Sequence, residues 1–150
     1  MEKLVVKDGL AEMDFDRVRA MLAESFWAPG ISRAEVVRSA ENSALVVGAF
    51  LDGRQIGFAR VISDKTRFAY ILDVYVAEEH RKKGVGRKMM RHILSHRELQ
   101  DVYQWLLRTR DAHGVYSALG FAPVSRPLDW LEIGAARPER RERFTDCRRP

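Results

Sequence analysis

Apolar residues follow two different periods along the chain, and the change of period predicts a mixed fold. Three apolar runs, Leu45–Leu51, residues 56–62 and Phe68–Val76, are rich in β-branched and aromatic residues and are short enough to be strands. The first two runs are separated by Asp52-Gly53, a strong signal for a two-residue hairpin. The three runs therefore predict an antiparallel meander.

Apolar residues three and four positions apart predict two helices before this meander. The first helix covers residues 14–25, with Phe15, Val18, Leu22 and Phe26 on one face. The second runs from Ser32 to about Glu41, because Ser32 and Glu35 have the spacing of a capping box, in which each side chain binds a free N–H group of the first turn. Residues 4–6 are β-prone and predict a strand before both helices.

A third helix, predicted at residues 84–95, is strongly amphipathic. Its apolar face would pack on the sheet through Val85, Met89, Met90, Ile93 and Leu94. Its polar face would stay in solvent with Arg87, Lys88, Arg91 and His92.

The last part of the chain predicts one more strand at residues 102–108 and a short helix between Asp111, as its N-cap, and Gly120, as its stop. Residues 121–124 and 130–133 predict short closing strands. The expected fold is α/β (α+β), with a mixed, largely antiparallel central sheet of six to seven strands flanked by about four helices.

The length and composition fit one globular domain. The chain has 150 residues, of which 46% are hydrophobic and 31% charged, and we assign residues 1–135 to the domain and residues 136–150 to a basic, flexible tail. The net charge of +5 is concentrated in that tail, where six arginines stand against three acids. We therefore do not expect a nucleic-acid partner, although the tail leaves one open.

The chain carries no run long enough to span a bilayer and no signal-peptide core at its start. Cys147 is the single cysteine, which excludes an intrachain disulfide and fits a reducing compartment. We expect a cytoplasmic protein without a membrane partner. The oligomeric state is open, and a homodimer is one option.

A run of apolar residues from Ile71 to Val76 leads through Arg81-Lys82-Lys83-Gly84-Val85-Gly86 into the third helix. Glycines allow a close approach of the main chain, and the first N–H groups of a helix have no internal partners, so this segment is suited to bind a pyrophosphate. The R-x-x-G-x-G pattern alone is weak, because glycines between a strand and a helix also serve chain reversal.

A second motif strengthens the interpretation. The predicted strand at residues 102–108 is followed by a short helix that ends in Tyr116-x-x-x-Gly120-Phe121. The order of these elements, with R-x-x-G-x-G before them, resembles the GNAT superfamily of N-acetyltransferases over residues 44–121 and, more loosely, residues 4–42.

The resemblance implies a GNAT-like domain that binds acetyl-CoA as the acyl donor, with no metal. Main-chain groups of Val74 and Val76 would bind the pantetheine arm, although both valines also fit a purely packing role for their side chains. The pyrophosphate would be bound by the following segment, with Arg87 or Lys88 adding a side-chain contact. The residues implied there are Arg81, Lys82, Lys83, Gly84, Val85, Gly86, Arg87 and Lys88.

The resemblance also implies two catalytic residues. Tyr116 matches the family's frequent general acid, and an ordinary tyrosine pKa of about 10 would keep its phenol protonated at neutral pH. Asp73 is the side-chain candidate for the base that deprotonates the amine, with an ordered water as the rival and backbone anchoring as the alternative role for Asp73. Direct attack is expected, because Cys147 lies far from this region in sequence.

The acceptor is less defined by the sequence. The apolar loop between the first two helices contains Phe26, Trp27 and Ile31. In the family this segment often forms one wall of the acceptor pocket, so the three residues are either acceptor contacts or core residues. Small molecules and protein amino groups both remain open as acceptors, and a larger acyl group than acetyl also remains open.

The sequence departs from the family pattern at three positions. Glu78 stands where proline is frequent, and Lys82 stands where glycine is frequent. Thr109 stands where many members have an asparagine that contacts the pantetheine, so Asp111 or His113 are substitutes for that contact.

Other sites and functions are weaker. His92 and His96 have a spacing that can bind zinc, but no third ligand follows in register, so we expect an exposed helix face and no metal. A Rossmann-type nucleotide binder would need a third glycine near position 89, where the chain has Met89. A non-catalytic acyl-CoA sensor remains the alternative, since a pyrophosphate site alone would serve it.

Overall fold

The computed structural model describes residues 3–134, which form one mixed sheet of five strands with helices packed on it. The sheet order is the chain order, and every neighbouring pair is antiparallel except the last, which is parallel. The strands are β1 (Leu4–Asp8), β2 (Leu45–Leu51), β3 (Arg54–Ser63), β4 (Phe68–Val76) and β5 (Gln104–Leu107). The predicted fold class is confirmed.

Four α-helices accompany the sheet in the described part of the chain: α1 (Phe15–Ala23), α2 (Arg33–Glu41), α3 (Val85–Leu94) and α4 (His113–Ser117). The Asp14 side chain accepts a hydrogen bond from the N–H of Arg17 at the start of α1. The Ser32 hydroxyl accepts one from the N–H of Glu35 at the start of α2. Each cap satisfies an N–H group that the helix leaves unpaired, which explains where these helices begin.

The β2–β3 hairpin forms as predicted. Asp52 and Gly53 have φ angles of 48° and 86°, the left-handed conformation that a tight two-residue turn requires at both positions. The backbone N–H of Lys3 donates to the Asp52 carboxylate at 2.9 Å, which ties the turn to the chain before β1.

The hydrophobic core lies where α1, α2 and α3 cover the sheet. Gly57 of β3 is part of this contact, because a Cβ there would lie 3.1 Å from the Met89 Cε atom of α3. The core includes Val18, Leu22, Val36, Val47, Phe58, Val61, Ile71, Met89, Met90 and Ile93.

The predicted closing strands are wrong. Residues 121–124 and 130–134 have no strand pairing, and the described sheet ends at β5. Leu131 and Ile133, in the second of these segments, are 95% and 103% exposed, so they have no partner surface within residues 3–134. The sheet therefore has five described strands and not six to seven. Residues 136–150, including Cys147, lie outside the described residues.

The expectation of a solvated His92 is also wrong. Its Nε2 atom lies 2.6 Å from Asp8 Oδ2, and His96 Nε2 lies 3.5 Å from the same oxygen. This cluster joins the last turns of α3 to the end of β1. Nevertheless, no group of three His, Cys, Asp or Glu side chains between residues 3 and 134 has an arrangement that could hold a metal ion. No helix in that range is long and apolar enough to cross a membrane.

Candidate functional site

The parallel strands β4 and β5 separate halfway along β4. Their pairing ends at Ile71 and Leu107, while β4 continues to Val76. One edge of β4 is therefore unpaired over its last five residues. A cleft of about 540 Å³ opens beside the point of separation. It is lined by Phe26, Trp27, Tyr70, Ile71, Leu72, Asp73, Val74, Leu107, Arg108, Thr109, Arg110, Asp111, Ala112 and Tyr116.

The open edge of β4 presents main-chain groups to a ligand. Ala77 N–H donates to the Ile56 carbonyl of the β3 side at 2.8 Å, so Val76 faces the other way, and Val74 faces the same way as Val76. The Val76 carbonyl already accepts a hydrogen bond from Arg81 Nε at 2.8 Å. The N–H groups of both valines and the Val74 carbonyl are left to pair with an extended chain.

A bulge in β4 marks the middle of the site. The register shifts so that Arg60 faces Leu72 and Phe58 faces Tyr75, which leaves Asp73 in a left-handed conformation with φ of 55°. This conformation is uncommon for a residue other than glycine and needs support from its surroundings.

The Asp73 carboxylate supplies that support. Its Oδ2 atom accepts a hydrogen bond from Arg60 Nε at 2.6 Å, and its Oδ1 atom accepts one from Trp27 Nε1 at 2.9 Å. The side chains of the ion pair are 13% and 11% exposed. The sequence did not indicate Arg60 as a partner of Asp73, since an arginine within a strand usually faces solvent. Both Asp73 oxygens therefore already have donors, which favours an anchoring role.

The segment between β4 and α3 presents a row of unpaired main-chain N–H groups at residues 82 to 87, which we call the cradle. The first intrahelical bond of α3 runs from Lys88 N to Gly84 O at 3.0 Å. Within residues 3–134, the main-chain N–H groups of residues 82 to 87 have no hydrogen-bond acceptor. Lys82 and Gly84 have φ angles of 61° and 82°, so the chain curls and presents successive N–H groups to one side.

Gly86 is not required by the protein's own packing. Its φ is outside the left-handed region, and the nearest described atom outside its own helix to an added Cβ would be Val76 Cγ2, at an ordinary 3.8 Å. The missing side chain keeps space open between the helix start and the end of β4. That is the space that a ligand bound to both would need.

The cations of this segment differ in their surroundings. Arg81 lies over the Tyr75 ring at 5.0 Å in addition to its bond with Val76, so it braces the end of β4. Lys88 is exposed and donates to the Leu4 carbonyl of β1 at 3.0 Å, so its contact with a pyrophosphate stays a prediction. Lys82, Lys83 and Arg87 are exposed.

Tyr116 lies on α4 and lines the cleft. Burial and, to a smaller extent, the negative charge of Asp111 raise the pKa of Tyr116 above its ordinary value of 10.0. Its hydroxyl has no hydrogen-bond partner between residues 3 and 134. The phenol is therefore a protonated donor that is left for a ligand.

The end of α4 holds this tyrosine. Gly120 has a φ of 99°, and the N–H of Phe121 donates to the Tyr116 carbonyl at 3.1 Å, which together close the helix in a Schellman turn. The Phe121 ring packs edge-on against the Tyr116 ring at 5.9 Å. The Tyr-x-x-x-Gly-Phe pattern is thus the sequence of a helix stop that orients the phenol.

The start of α4 differs from the prediction. Ala112 is the N-cap residue, and its N–H donates to the Thr109 hydroxyl at 3.0 Å, so Asp111 is not the cap. Thr109 and Asp111 line the cleft, and the Thr109 hydroxyl keeps its own proton for donation. His113 is exposed and does not line the cleft.

The loop between α1 and α2 contributes side chains to both the cleft and the core. Phe26 and Trp27 line the cleft with 55% and 39% of their surface exposed. Ile31 is only 5% exposed and belongs to the core, so its predicted acceptor contact is wrong. The Arg110 guanidinium lies 4.0 Å from the centre of the Phe26 ring, a contact across the cleft that the sequence did not indicate.

Comparisons with known proteins agree with this geometry. A family model described as "Acetyltransferase (GNAT) domain" matches residues 42–123. A solved structure of a protein assigned to the GNAT family, from Xanthomonas campestris pv. campestris, is 36% identical with a TM-score of 0.83, and the match covers 89% of this chain and 94% of that one. Among proteins with curated descriptions, none matches the chain in sequence.

Two more distant structures share the fold. A predicted acetyltransferase with acetyl-CoA, from Clostridium acetobutylicum, is 16% identical with a TM-score of 0.67, over 88% of this chain and 96% of that one. Glucosamine-6-phosphate N-acetyltransferase from Arabidopsis thaliana is 15% identical with a TM-score of 0.64, over 89% of this chain and 98% of that one.

Proposed function

The chain belongs to the GNAT family of acetyltransferases, and on this premise we propose that it transfers an acetyl group from acetyl-CoA to a primary amine by direct attack in a ternary complex. The observation that carries the proposal is that two stretches of main chain without hydrogen-bond partners follow closely on each other, one at the edge of β4 and one at the start of α3. The open edge of β4 ends at Val76, and one short turn later the N–H groups of residues 82 to 87 have no acceptor in the described chain.

These surfaces suit the two parts of the donor. The pantetheine arm contains amides, which pair with Val74 and Val76 as a neighbouring strand would. The pyrophosphate is an anion that the curled N–H groups at the start of α3 would bind, with Lys82, Lys83 and Arg87 adding positive charge. An extended arm held in this way brings its thioester to the cleft between β4 and α4.

The reaction then needs a proton donor for the leaving group. The amine nitrogen forms a bond with the thioester carbonyl carbon, the carbon–sulfur bond breaks, and the thiolate takes the proton of the Tyr116 phenol. Because the pKa of Tyr116 is raised above 10.0, the phenol stays protonated through neutral pH. On the alkaline side we expect turnover to fall as the pH rises through that raised pKa.

A proton acceptor is needed for the amine as well. Asp73 was the side-chain candidate, but its oxygens already bind Arg60 and Trp27. We therefore favour a water molecule in the cleft as the acceptor, with Asp73 as a positioning residue that fixes the bulge. We propose the cytoplasm as the location of the reaction.

The proposal is tested by measuring release of free thiol from acetyl-CoA over a panel of primary amines. Amine-dependent thiol release, lost in Tyr116→Phe, is the expected result. If the protein binds CoA by calorimetry but no amine causes thiol release, the acyl-CoA sensor is the better description. If well-folded protein binds no CoA species, both functions are excluded.

A further inference from the structure

The acceptor side of the cleft has an aromatic wall, formed by Phe26 and Trp27. The two rings meet edge to face at 5.0 Å, and the Trp27 ring packs against Tyr75 at 6.3 Å. The Trp27 indole is bound to Asp73 at the bulge. Large exposed apolar side chains that are held in place by specific contacts indicate a surface that binds something.

Two arginines line the same cleft, and one of them contacts this wall. Arg108 and Arg110 line the cleft, and neither forms an ion pair or a hydrogen bond with another residue between 3 and 134. The Arg110 guanidinium is stacked on Phe26. A stacked guanidinium keeps the N–H donors at its edges, which suits a planar carboxylate or a phosphate.

The cleft lining also includes an acidic side chain, Asp111, which follows Arg110 in the chain. Asp111 lies close enough to Tyr116 to affect its phenol. It is the one acidic residue lining the cleft that is not paired with an arginine, since Asp73 is bound to Arg60. The cleft therefore holds a carboxylate whose charge acts on the Tyr116 phenol and a guanidinium that is stacked on the aromatic wall.

We propose that the acceptor is a primary amine that also carries an anionic oxygen group, which binds to Arg110 and Arg108 while an apolar part of the molecule packs on Phe26 and Trp27. The amine then points away from the arginines, toward the thioester beside Tyr116. This substrate class rests on the proposed function and narrows it, because neutral amines and polyamines would leave both guanidiniums without a partner.

The test compares amines that differ only in the anionic group. Phenylalanine and phenethylamine differ in a carboxylate, and phosphoethanolamine and ethanolamine differ in a phosphate. We expect kcat/KM to be about tenfold or more higher for the acid-bearing member of at least one pair, since a hydrogen bond between charged groups contributes about that factor. The pair that shows the preference identifies the oxyacid. Equal values within both pairs would overturn the proposal.

Substitutions distinguish a specific contact of the two arginines with the acceptor from an effect of the protein's total charge. Arg110→Gln should reduce the preference for the acid-bearing amine by about tenfold, with the loss mainly in KM, and Arg110→Lys should restore part of it. Arg19→Gln, on the exposed side of α1, removes the same charge outside the cleft and should leave the preference intact. A preference that survives in Arg110→Gln and in Arg108→Gln would refute the assignment of these residues.

The inference can fail separately from the proposed function. If no amine is acetylated, binding of phenylalanine and of phosphoethanolamine to the CoA complex is measured by calorimetry in the wild type and in Arg110→Gln. Binding that the substitution weakens by about tenfold supports the anion subsite even without catalysis. Absence of binding for both probes would rule the subsite out, whatever the outcome with acetyl-CoA.

Discussion

Gly86→Ala tests the cradle most directly, because the protein itself has room for the added methyl group. Among residues 3–134, apart from the helix's own backbone and the adjacent residues, the new Cβ would meet Val76 Cγ2 alone, at 3.8 Å, and the backbone of Gly86 is not left-handed. Alanine in a helix is favoured over glycine by about 0.5–1 kcal/mol. The variant should therefore unfold at the same temperature as the wild type or a few degrees higher.

The effect on the ligand should be the reverse. A methyl group between the start of α3 and the end of β4 would keep a pyrophosphate from approaching the N–H groups there. Each hydrogen bond from an N–H group to a charged oxygen contributes about 1.5–3 kcal/mol, so losing one would weaken CoA binding roughly 10- to 100-fold. Isothermal titration calorimetry with CoA, together with thermal unfolding of the ligand-free protein, measures the two effects.

Two other glycines provide the controls. Gly84→Ala should destabilise the ligand-free protein by about 1–2 kcal/mol, because its φ of 82° is unfavourable for alanine. Gly114→Ala, in α4, adds a methyl group to open space outside the cleft and should not change CoA affinity. If Gly86→Ala binds CoA as tightly as the wild type, the ligand does not approach the main chain there and the cradle is misassigned.

Three further predictions concern the cleft and the acid stability of the fold. Tyr116→Phe should lower turnover by about 10²- to 10⁴-fold with little change in the Kd of acetyl-CoA, and unchanged turnover would remove the phenol from the mechanism. Asp73→Asn should destabilise the protein in urea by roughly 3 kcal/mol, since it leaves the Arg60 guanidinium without its partner in a nearly buried position. The control Asp16→Asn breaks an exposed pair and should cost less than about 1 kcal/mol, so equal losses would contradict this reasoning. Hydrogen bonds from the N–H groups after Asp64 lower the pKa of its carboxyl below 3.8, so its stabilisation is present above that pH and is lost as the pH falls through the lowered value. The difference in unfolding free energy between the wild type and Asp64→Asn should therefore be larger at pH 6 than at pH 2, and an equal difference at both would show that the ionised form is not favoured.

Local signals predicted the parts of the fold that depend on neighbouring residues. The Asp52-Gly53 turn and the Ser32 cap each satisfy a requirement of a few consecutive residues, and both formed where the sequence indicated. The unpaired N–H groups at the start of α3 were predictable as well, because they follow from helix geometry alone. The presence of unpaired N–H groups there could thus be predicted without knowledge of the tertiary structure, while the binding of a pyrophosphate stays a prediction.

Features that depend on residues far apart in the chain could not be predicted in this way. Two such contacts join residues that are 84 positions apart, Lys88 with Leu4 and His92 with Asp8. In each, a side chain that was expected to be surrounded by solvent contacts β1. The bulge at Asp73 lies within a run of strand-forming residues and is revealed only by its register with β3. The prediction of closing strands was wrong because a contact that it required is absent: the β-prone residues do not pair with an edge of the described sheet.

The hydrogen bond between the Trp27 indole and the Asp73 carboxylate gives this protein an intrinsic optical probe. The emission of tryptophan depends on the polarity and the bonding of its ring nitrogen, and Trp27 is the tryptophan that borders the cleft. An arriving acceptor that covers the ring or disturbs this bond would change the fluorescence spectrum without any added dye. Trp105 and Trp130 lie outside the cleft lining, so their signal should form a steady background against which occupancy can be followed in real time.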